Sequence, residues 1–538
     1  MFIFFCLAVI AAFLANLLFL FLYVWRAVSV DFRLKWPRLL ISLIVLSGVF
    51  GALLAASADV PMRSGYDNDH SFDDLSFRFH SPGAWGVVGS YKKELSTLAG
   101  VSFVDILSGQ RLEGILAANR ILWPVCAVLT GAVLLELGAG LAGATVGAGL
   151  FGLSFLSIIN AHTFSTTNWN LFYILCCLLS VCRLLRDSAG LSDWIWFFCA
   201  SFLMLTSRFE FTPVIALILF IVAWRGLKAG GGGKILPVLF AIWAGVCALW
   251  AFHLRGMASE NLFMPHYSEM FGNIAGQLGE SNLSIVSGLS SDFWGWAGVS
   301  VMGVCAIVSM ILAFRKSREW LPPAWLLLWL AYFALIFRPL EVYPLHFVRH
   351  QLYFFLPFCL FSGWAAAHIF RLLKWRWLPV AVSAVFFLVY GEAGVRAARS
   401  YNSSLRTDDI EWQFLLNARR AWPGNCSIIT DSRKRELLLR KYFPYAGQES
   451  TRADDCLLFY RPVFSTIIVE RDDRFYAISP GNGLVMDVNY STPWLEQKFR
   501  HRFYTTFFGW YGQAREVREP IPLTLGLYPA RLRKAEGS

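Results

Sequence analysis

Charged residues are scarce in this sequence: Asp, Glu, Lys and Arg together make up 15% of its 538 residues. Soluble domains usually carry about 25% charged residues, so this scarcity argues against an ordinary water-soluble protein. Hydrophobic residues instead reach 57%, aromatic residues reach 16%, and the mean hydropathy is +0.52. The composition therefore indicates a polytopic membrane protein.

The sequence also lacks a CxxC metal-binding spacing and a glycine-rich phosphate loop. Nine of the 11 cysteines lie in or beside apolar runs, where cysteine packs as a small hydrophobic residue. The net charge of +11 does not indicate nucleic-acid binding, because the basic residues form short clusters between apolar runs rather than one patch. No nucleic-acid partner is expected, whereas membrane lipids are.

Long apolar runs are frequent, and about 20 residues suffice for a helix to cross a bilayer. Hydropathy predicts about 12 transmembrane helices. They lie near residues 2–24, 38–56, 116–137, 139–159, 169–185, 192–207, 211–225, 235–253, 294–314, 320–337, 350–370 and 377–395. The first run has no basic leader and no cleavage site, so it is interpreted as a retained helix.

Basic clusters fall on alternate loops of this pattern, and the positive-inside rule makes those loops cytoplasmic. They begin at Arg26, Arg183, Arg225, Arg315 and Arg371. The N-terminus, the loop 57–114 and everything after the twelfth span are then extracytoplasmic. The expected location is a bacterial-type inner (plasma) membrane, crossed many times, with the active face extracytoplasmic.

The outer loop 57–114 carries an unusual group of ionisable residues. Gly65-Tyr66-Asp67-Asn68-Asp69-His70 is followed at once by Asp73 and Asp74. A solvated loop would explain them, but ionisable groups at a membrane edge are functional candidates by default. Further outer-face candidates are Arg208, Glu210, His266, Tyr267, His346, Arg349 and His350.

Carboxylates, arginines and histidines on one membrane face suit transfer from a lipid-phosphate donor. Arginine neutralises the phosphate, and a carboxylate takes the proton from the acceptor hydroxyl. Asp67 is the first choice for this base. Asp69 is either the base itself or a partner that holds a substrate hydroxyl or, with Asp67, a divalent cation such as Mg²⁺ or Mn²⁺.

The remaining candidates have less specific roles. Arg208 and Glu210 contact phosphate or sugar, or form a surface ion pair. The group His346, Arg349 and His350 binds phosphate or anchors its helix at the interface. Acceptor or secondary roles are assigned to His70, Asp73, His266 and Tyr267, of which the last two also fit an ordinary loop.

From about residue 399 the composition changes to that of a soluble domain, 399–538, which follows the transmembrane domain 1–398. Residues 426–430 and 465–469 are typical of strands, and helices are predicted from 408 and over 435–442. The alternation predicts a small α/β domain on the outer face. Its two cysteines, Cys426 and Cys456, either form a disulfide or remain free thiols.

The arrangement resembles the GT-C superfamily of integral-membrane glycosyltransferases. The resemblance lies in Tyr66-Asp67-Asn68-Asp69-His70, in Arg208-Phe209-Glu210, in Arg349 followed by Leu356-Pro357, and in the soluble C-terminal domain. It implies a GT-C-like fold, a polyprenyl-phosphate-linked sugar donor, a catalytic carboxylate in the acidic loop and an outer domain that helps to bind the acceptor. Two features depart from the family: an additional N-terminal helix, and Asp-Asn-Asp in place of Asp-Glu.

Two other classes compete with a glycosyltransferase that acts on a glycan, lipid or protein hydroxyl. About 12 spans also suit a transporter or flippase of a lipid-linked glycan. A non-catalytic envelope assembly protein would use the outer loops as contact surfaces. The transferase hypothesis is favoured because the polar residues gather outside the spans, whereas carriers place them near the bilayer midplane.

Overall fold

The fold was analysed in a computed structural model of the chain. The structure describes residues 7–25, 95–108, 112–162, 167–184, 190–207, 243–250, 344–372, 377–404, 426–430, 456–464, 484–489, 491–501 and 521–534, with isolated residues between them. Most of the acidic loop lies outside these ranges, as do the predicted spans 211–225, 294–314 and 320–337.

The described part of the chain is mostly helical. Its helices are α1 (Leu7–Trp25), α2 (Leu95–Leu107), α3 (Leu112–Glu136), α4 (Gly140–Gly152), α5 (Phe155–Ala161), α6 (Thr167–Leu184), α7 (Leu191–Ser207), α8 (Pro344–Leu372) and α9 (Trp377–Ser404). Among the described residues, three segments are long and apolar enough to cross a membrane: Leu7–Trp25, Ala117–Glu136 and Thr167–Leu184. These agree with a membrane protein, while the number of 12 spans stays a prediction.

Helix α6 forms the centre of the bundle, and nearly all of its residues are buried. The reason is that α3 and α7 pack along it, α2 and α5 contact its beginning, and Phe13 of α1 contacts Trp169 and Tyr173. Its cysteines Cys176, Cys177 and Cys182 are buried free thiols. The expectation that these cysteines act as small core residues is confirmed.

The predicted span 139–159 is in fact two helices, α4 and α5. The break occurs at Ser154, whose extended backbone caps α5. The Ser154 hydroxyl accepts a hydrogen bond from the Ser157 N–H at 3.1 Å and donates one to the Phe151 carbonyl at 2.8 Å. Hydropathy did not reveal the break because both sides of it are apolar, whereas the cap depends on a single hydroxyl.

Helix α2 is a second difference from the sequence-based expectation, which treated residues 57–114 as one polar loop. Leu95, Leu98 and Val101 are buried against the bundle, and so are Ser96 and Thr97. Its 13 residues are too few to cross a bilayer at about 1.5 Å per residue. Residues 95–107 of the segment predicted as a loop therefore form a packed helix.

Glycines bring α4 and α8 into close contact. A Cβ atom on Gly363 would lie 2.6 Å from the Gly143 carbonyl oxygen and 3.1 Å from the Gly147 Cα atom. Gly143 and Gly147 form a G-x-x-x-G spacing, which lets two helix backbones approach closely. Because Gly363 contacts Gly143 while Arg371 donates to the Gly138 carbonyl at 2.9 Å, α8 runs antiparallel to α4.

The C-terminal region contains a five-stranded mixed sheet. Its strands are β1 (Cys426–Thr430), β2 (Cys456–Phe464), β3 (Leu484–Val488), β4 (Leu495–His501) and β5 (Ile521–Lys534). Strand β5 is central: β2 pairs with one edge, while β4 and β3 pair one after the other with the opposite edge, all antiparallel. Strand β1 is parallel to β2 and begins where the sequence predicts a strand.

The register of the sheet places Cys426 directly opposite Cys456. Within β5, Tyr528 covers Gly526 and donates a hydrogen bond to Glu496 on β4 at 3.0 Å. The strand predicted at 465–469 and the helix at 435–442 lie outside the described residues. Phe414 and Ala418 are helical and buried, as the apolar spacing from residue 408 predicts.

Candidate functional site

One end of the helix bundle concentrates polar side chains that are buried or, for Arg120, half-buried, and it is called here the polar end. Its members are Ser96, Thr97, Asn119, Arg120, Asn160, His162, Asn168, Asn170, Thr206 and Ser207. They come from the first turns of α2, α3 and α6 and from the last residues of α5 and α7. Buried polar groups usually have hydrogen-bond partners, so the contacts among these residues determine how the helix ends are held.

The start of α2 is fastened to the end of α7 and to α6. The hydroxyls of Ser96 and Thr206 lie 2.5 Å apart, and the Tyr173 hydroxyl donates to the Ser96 carbonyl at 2.6 Å. Thr97 donates to the Asn170 side-chain oxygen at 2.8 Å. Three helices are therefore joined at this end by buried hydrogen bonds.

In the sequence, the two helices of this junction adjoin two of the predicted site segments. The acidic loop ends where α2 begins at Leu95, and Arg208-Phe209-Glu210 follows Ser207, the last residue of α7. The Ser96–Thr206 contact therefore joins the helix that begins 21 residues after Asp74 in the sequence to the helix that ends just before Arg208. Asp67, Asp69, His70, Asp73, Arg208 and Glu210 themselves lie outside the described residues.

A second group of contacts joins α3, α5 and α6 at the same end. Asn168 donates from its side-chain amide to the Asn160 carbonyl at 3.0 Å. Arg120 Nη2 lies 3.3 Å from His162 Nδ1. His162 lies in the connection between α5 and α6, outside the three candidate spans, and is 1% exposed. Burial lowers the pKa of His162 from 6.5 to about 4, and the positive charge of Arg120 acts in the same direction.

The third predicted segment begins α8. His346, Arg349 and His350 lie in its first turns. The C-terminal end of α8 lies beside Gly138, at the beginning of α4, and the two helices are antiparallel. The first turns of α8 therefore lie toward the end of α4, where Trp123 of α3 donates to the Gly152 carbonyl at 2.8 Å. The backbone of these three residues is thus at the polar end.

The opposite end of the bundle has a different chemical character. Tyr23 donates to Glu136 at 2.9 Å, and Arg183 bonds to Asp193 at 3.4 Å while lying over the Tyr23 ring. At that end Arg183 is therefore paired with an opposite charge, and Glu136 accepts a hydrogen bond from a neutral hydroxyl. Among the described residues of the polar end, Arg120 has no carboxylate within ion-pair distance.

Arg120 was missed by the sequence analysis, although it lies inside the predicted span 116–137. The available signal was an arginine within an otherwise apolar run, which marks a functional candidate in membrane helices. His162 lies in an outer loop of the predicted topology but was not selected there as a site residue. Nothing in the sequence spacing connects these two residues, which are 42 positions apart.

The remaining predicted site residues, His266 and Tyr267, also lie outside the described ranges. Within those ranges, no group of three or more His, Cys, Asp or Glu side chains is arranged to hold a metal ion. The divalent cation considered for Asp67 and Asp69 therefore stays a prediction.

Comparisons with known proteins add no relative to this description. The chain matches none of the protein-family models, curated protein sequences or solved structures with which it was compared.

Proposed function

We propose that this protein is a membrane glycosyltransferase of the GT-C type, which moves a sugar from a polyprenyl-phosphate-linked donor to an acceptor hydroxyl of a glycan, lipid or protein. In this proposal the chain spans a bacterial-type plasma membrane about 12 times. The polar end faces outward, and the C-terminal domain 399–538 lies on that side and helps to hold the acceptor.

The contact between two helices that adjoin predicted site segments in the sequence supports this proposal. Ser96 is in the helix that follows the acidic loop, Thr206 is in the helix that precedes Arg208-Phe209-Glu210, and their hydroxyls are in contact. The direction of α8 places the backbone of Arg349 at the same end. A transferase needs its base and its phosphate-binding groups on one membrane face, because both act on the same bond.

The proposed chemistry uses Asp67 or Asp69 as the general base. The carboxylate takes the proton from the acceptor hydroxyl as the new glycosidic bond forms to the anomeric carbon. The bond between that carbon and the phosphate oxygen breaks, and the lipid phosphate leaves with its electron pair. Arg208 and Arg349 stabilise the negative charge that grows on this phosphate.

The experiment uses purified full-length protein in lipid nanodiscs with a panel of polyprenyl-phosphate sugars. Consumption of one donor by the wild type is expected. The double variant Asp67→Asn and Asp69→Asn should lower the rate about 10²- to 10⁴-fold, the usual contribution of a general base. Glu392→Gln serves as the control, because Glu392 is exposed and pairs only with Arg396 four residues along α9 among the described residues.

Undiminished transfer by the double variant would show that neither aspartate is the base. If the wild type consumes no donor but moves a lipid-linked glycan across the bilayer of a sealed vesicle, the protein is a carrier. Neither transfer nor translocation would favour the envelope assembly class.

A further inference from the structure

Arg120 and His162 form a pair whose hydrogen-bond roles can be assigned. Arg120 lies near the beginning of α3 and is half-buried. Its Nη2 is 3.3 Å from His162 Nδ1. A guanidinium group can only donate, so Nδ1 must accept. A neutral imidazole that accepts at Nδ1 carries its proton on Nε2, and this N–H is then available as a donor.

Two donors of this pair have no acceptor among the described residues. They are the Nε of Arg120 and the Nε2 of His162, and both atoms are buried. An unsatisfied buried donor costs about 1–3 kcal/mol, and more when the group is charged. Since His162 is 1% exposed, bulk water does not reach its ring. The pair therefore presents buried donors and a positive charge that require an acceptor.

The required acceptor has a definite chemical character. It must accept hydrogen bonds from two directions and carry negative charge, because an unpaired guanidinium inside a protein is strongly unfavourable. At the opposite end of the bundle, the Asp193 carboxylate supplies such a negative acceptor to Arg183, at 3.4 Å. A bound water would satisfy the donors but would leave the charge without a counter-ion.

From this geometry we infer that Arg120 and His162 bind the phosphate group of a ligand. The guanidinium fork matches two phosphate oxygens, and the His162 Nε2–H donates to a third or to one of the same oxygens. The inference rests on the proposed function in one respect, namely that the ligand is the lipid-phosphate donor. Free phosphate has the same chemistry and is the alternative source.

The test measures binding to purified full-length protein in detergent by calorimetry. The ligands are farnesyl monophosphate, inorganic phosphate and farnesol, which has the same tail without the phosphate. Arg120→Gln should weaken farnesyl monophosphate binding by roughly 10- to 100-fold, the usual contribution of hydrogen bonds to a charged group. Farnesol binding should not change. Arg396→Gln, at an exposed position of α9, should leave all three affinities unchanged.

His162→Leu provides a second variant, since it removes both ring nitrogens without leaving a buried charge of its own. It should weaken farnesyl monophosphate binding by a smaller factor, about tenfold. If Arg120→Gln does not fold into a monodisperse protein, this variant carries the test. Wild-type affinity for farnesyl monophosphate in the folded variants would overturn the inference.

Two further outcomes separate the possible ligands and the two proposals. Binding of inorganic phosphate that depends on Arg120, with equal affinity to farnesyl monophosphate, would retain the site but overturn the lipid source. Sugar transfer is measured on the same preparations. Transfer by the wild type together with phosphate binding that ignores Arg120 would refute this inference alone. Arg120-dependent binding without any transfer would refute the proposed function alone.

Discussion

The hydroxyl groups of Ser96 and Thr206 lie 2.5 Å apart, in a buried contact that joins the start of α2 to the end of α7. The two residues are 110 positions apart in the chain. Thr206 lies two residues before Arg208, and Ser96 lies 22 residues after Asp74, the last member of the acidic cluster. The contact therefore holds together two helices that are distant in the sequence, and it does so within the folded core.

Paired cysteines at these two positions should form a disulfide. With Ser96→Cys and Thr206→Cys, the two sulfur atoms occupy sites now 2.5 Å apart, and a disulfide needs about 2 Å. Mild oxidation should link the peptide of α2 to that of α7, as detected by mass spectrometry after digestion. The control pair combines Ser96→Cys with Ser207→Cys, because one residue along α7 turns the side chain by about 100° around the helix axis. Equal cross-linking of both pairs would contradict the contact.

The close approach of α4 and α8 should make Gly363 intolerant of larger side chains. Gly363→Ala places a methyl group 2.6 Å from the Gly143 carbonyl, and the helices must separate to admit it. Overpacking of this kind costs about 1–3 kcal/mol, which a thermal midpoint in detergent will show as a clear decrease. Gly245→Ala is the matched control, since a Cβ atom there meets nothing within 4 Å. An unchanged midpoint for Gly363→Ala would mean that the two helices are not in contact.

His162 should make the folded protein sensitive to mild acid. Its pKa is about 4 in the folded protein, below the ordinary histidine value of 6.5. Burial is the main cause of this decrease, and the positive charge of Arg120 is the second. Between these two values the unfolded chain binds more protons than the folded one, so the stability decreases as the pH falls from 6.5 toward 4. Above pH 6.5 this group contributes no pH dependence.

The full effect of His162 is about 3 kcal/mol at the acid end of that window, on the order of 1.4 kcal/mol for each pKa unit. Thermal midpoints of the wild type and of His162→Gln should therefore differ in their dependence on pH. The wild type should lose more stability between pH 7 and pH 4.5 than the variant does. Parallel curves for the two proteins would show that the ring is not buried beside Arg120.

Cys426 and Cys456 are expected to form a disulfide. They are opposite each other in the register of two neighbouring parallel strands. Strands lie about 4.8 Å apart, which falls within the range of Cα distances that disulfides span. An alkylating reagent applied to the unfolded protein should label both residues only after reduction, and mass spectrometry identifies them. Labelling of both without reduction, in protein recovered from an oxidising compartment, would exclude the bond.

The positions of several described helices were predictable because each depends on local composition, whereas α2 was not predicted. Apolar runs indicate α1, α3, α6 and α7 to within a few residues, since burial of a whole helix requires an unbroken run of apolar side chains. Strand β1 was predictable for the same reason, from five residues of strand-forming composition. The division of the span 139–159 into two helices was not predictable, because it depends on the N-terminal cap that the Ser154 hydroxyl forms.

The candidate site divides in the same way. The sequence by itself determined which residue types can bind phosphate or take a proton, and that Asp67, Arg208 and Arg349 lie near the ends of apolar runs. Only the tertiary structure decided that Ser96 meets Thr206 and that Arg120 meets His162. These contacts join residues 110 and 42 positions apart, and they arise from helix packing, a sum of many weak long-range interactions that no local pattern encodes.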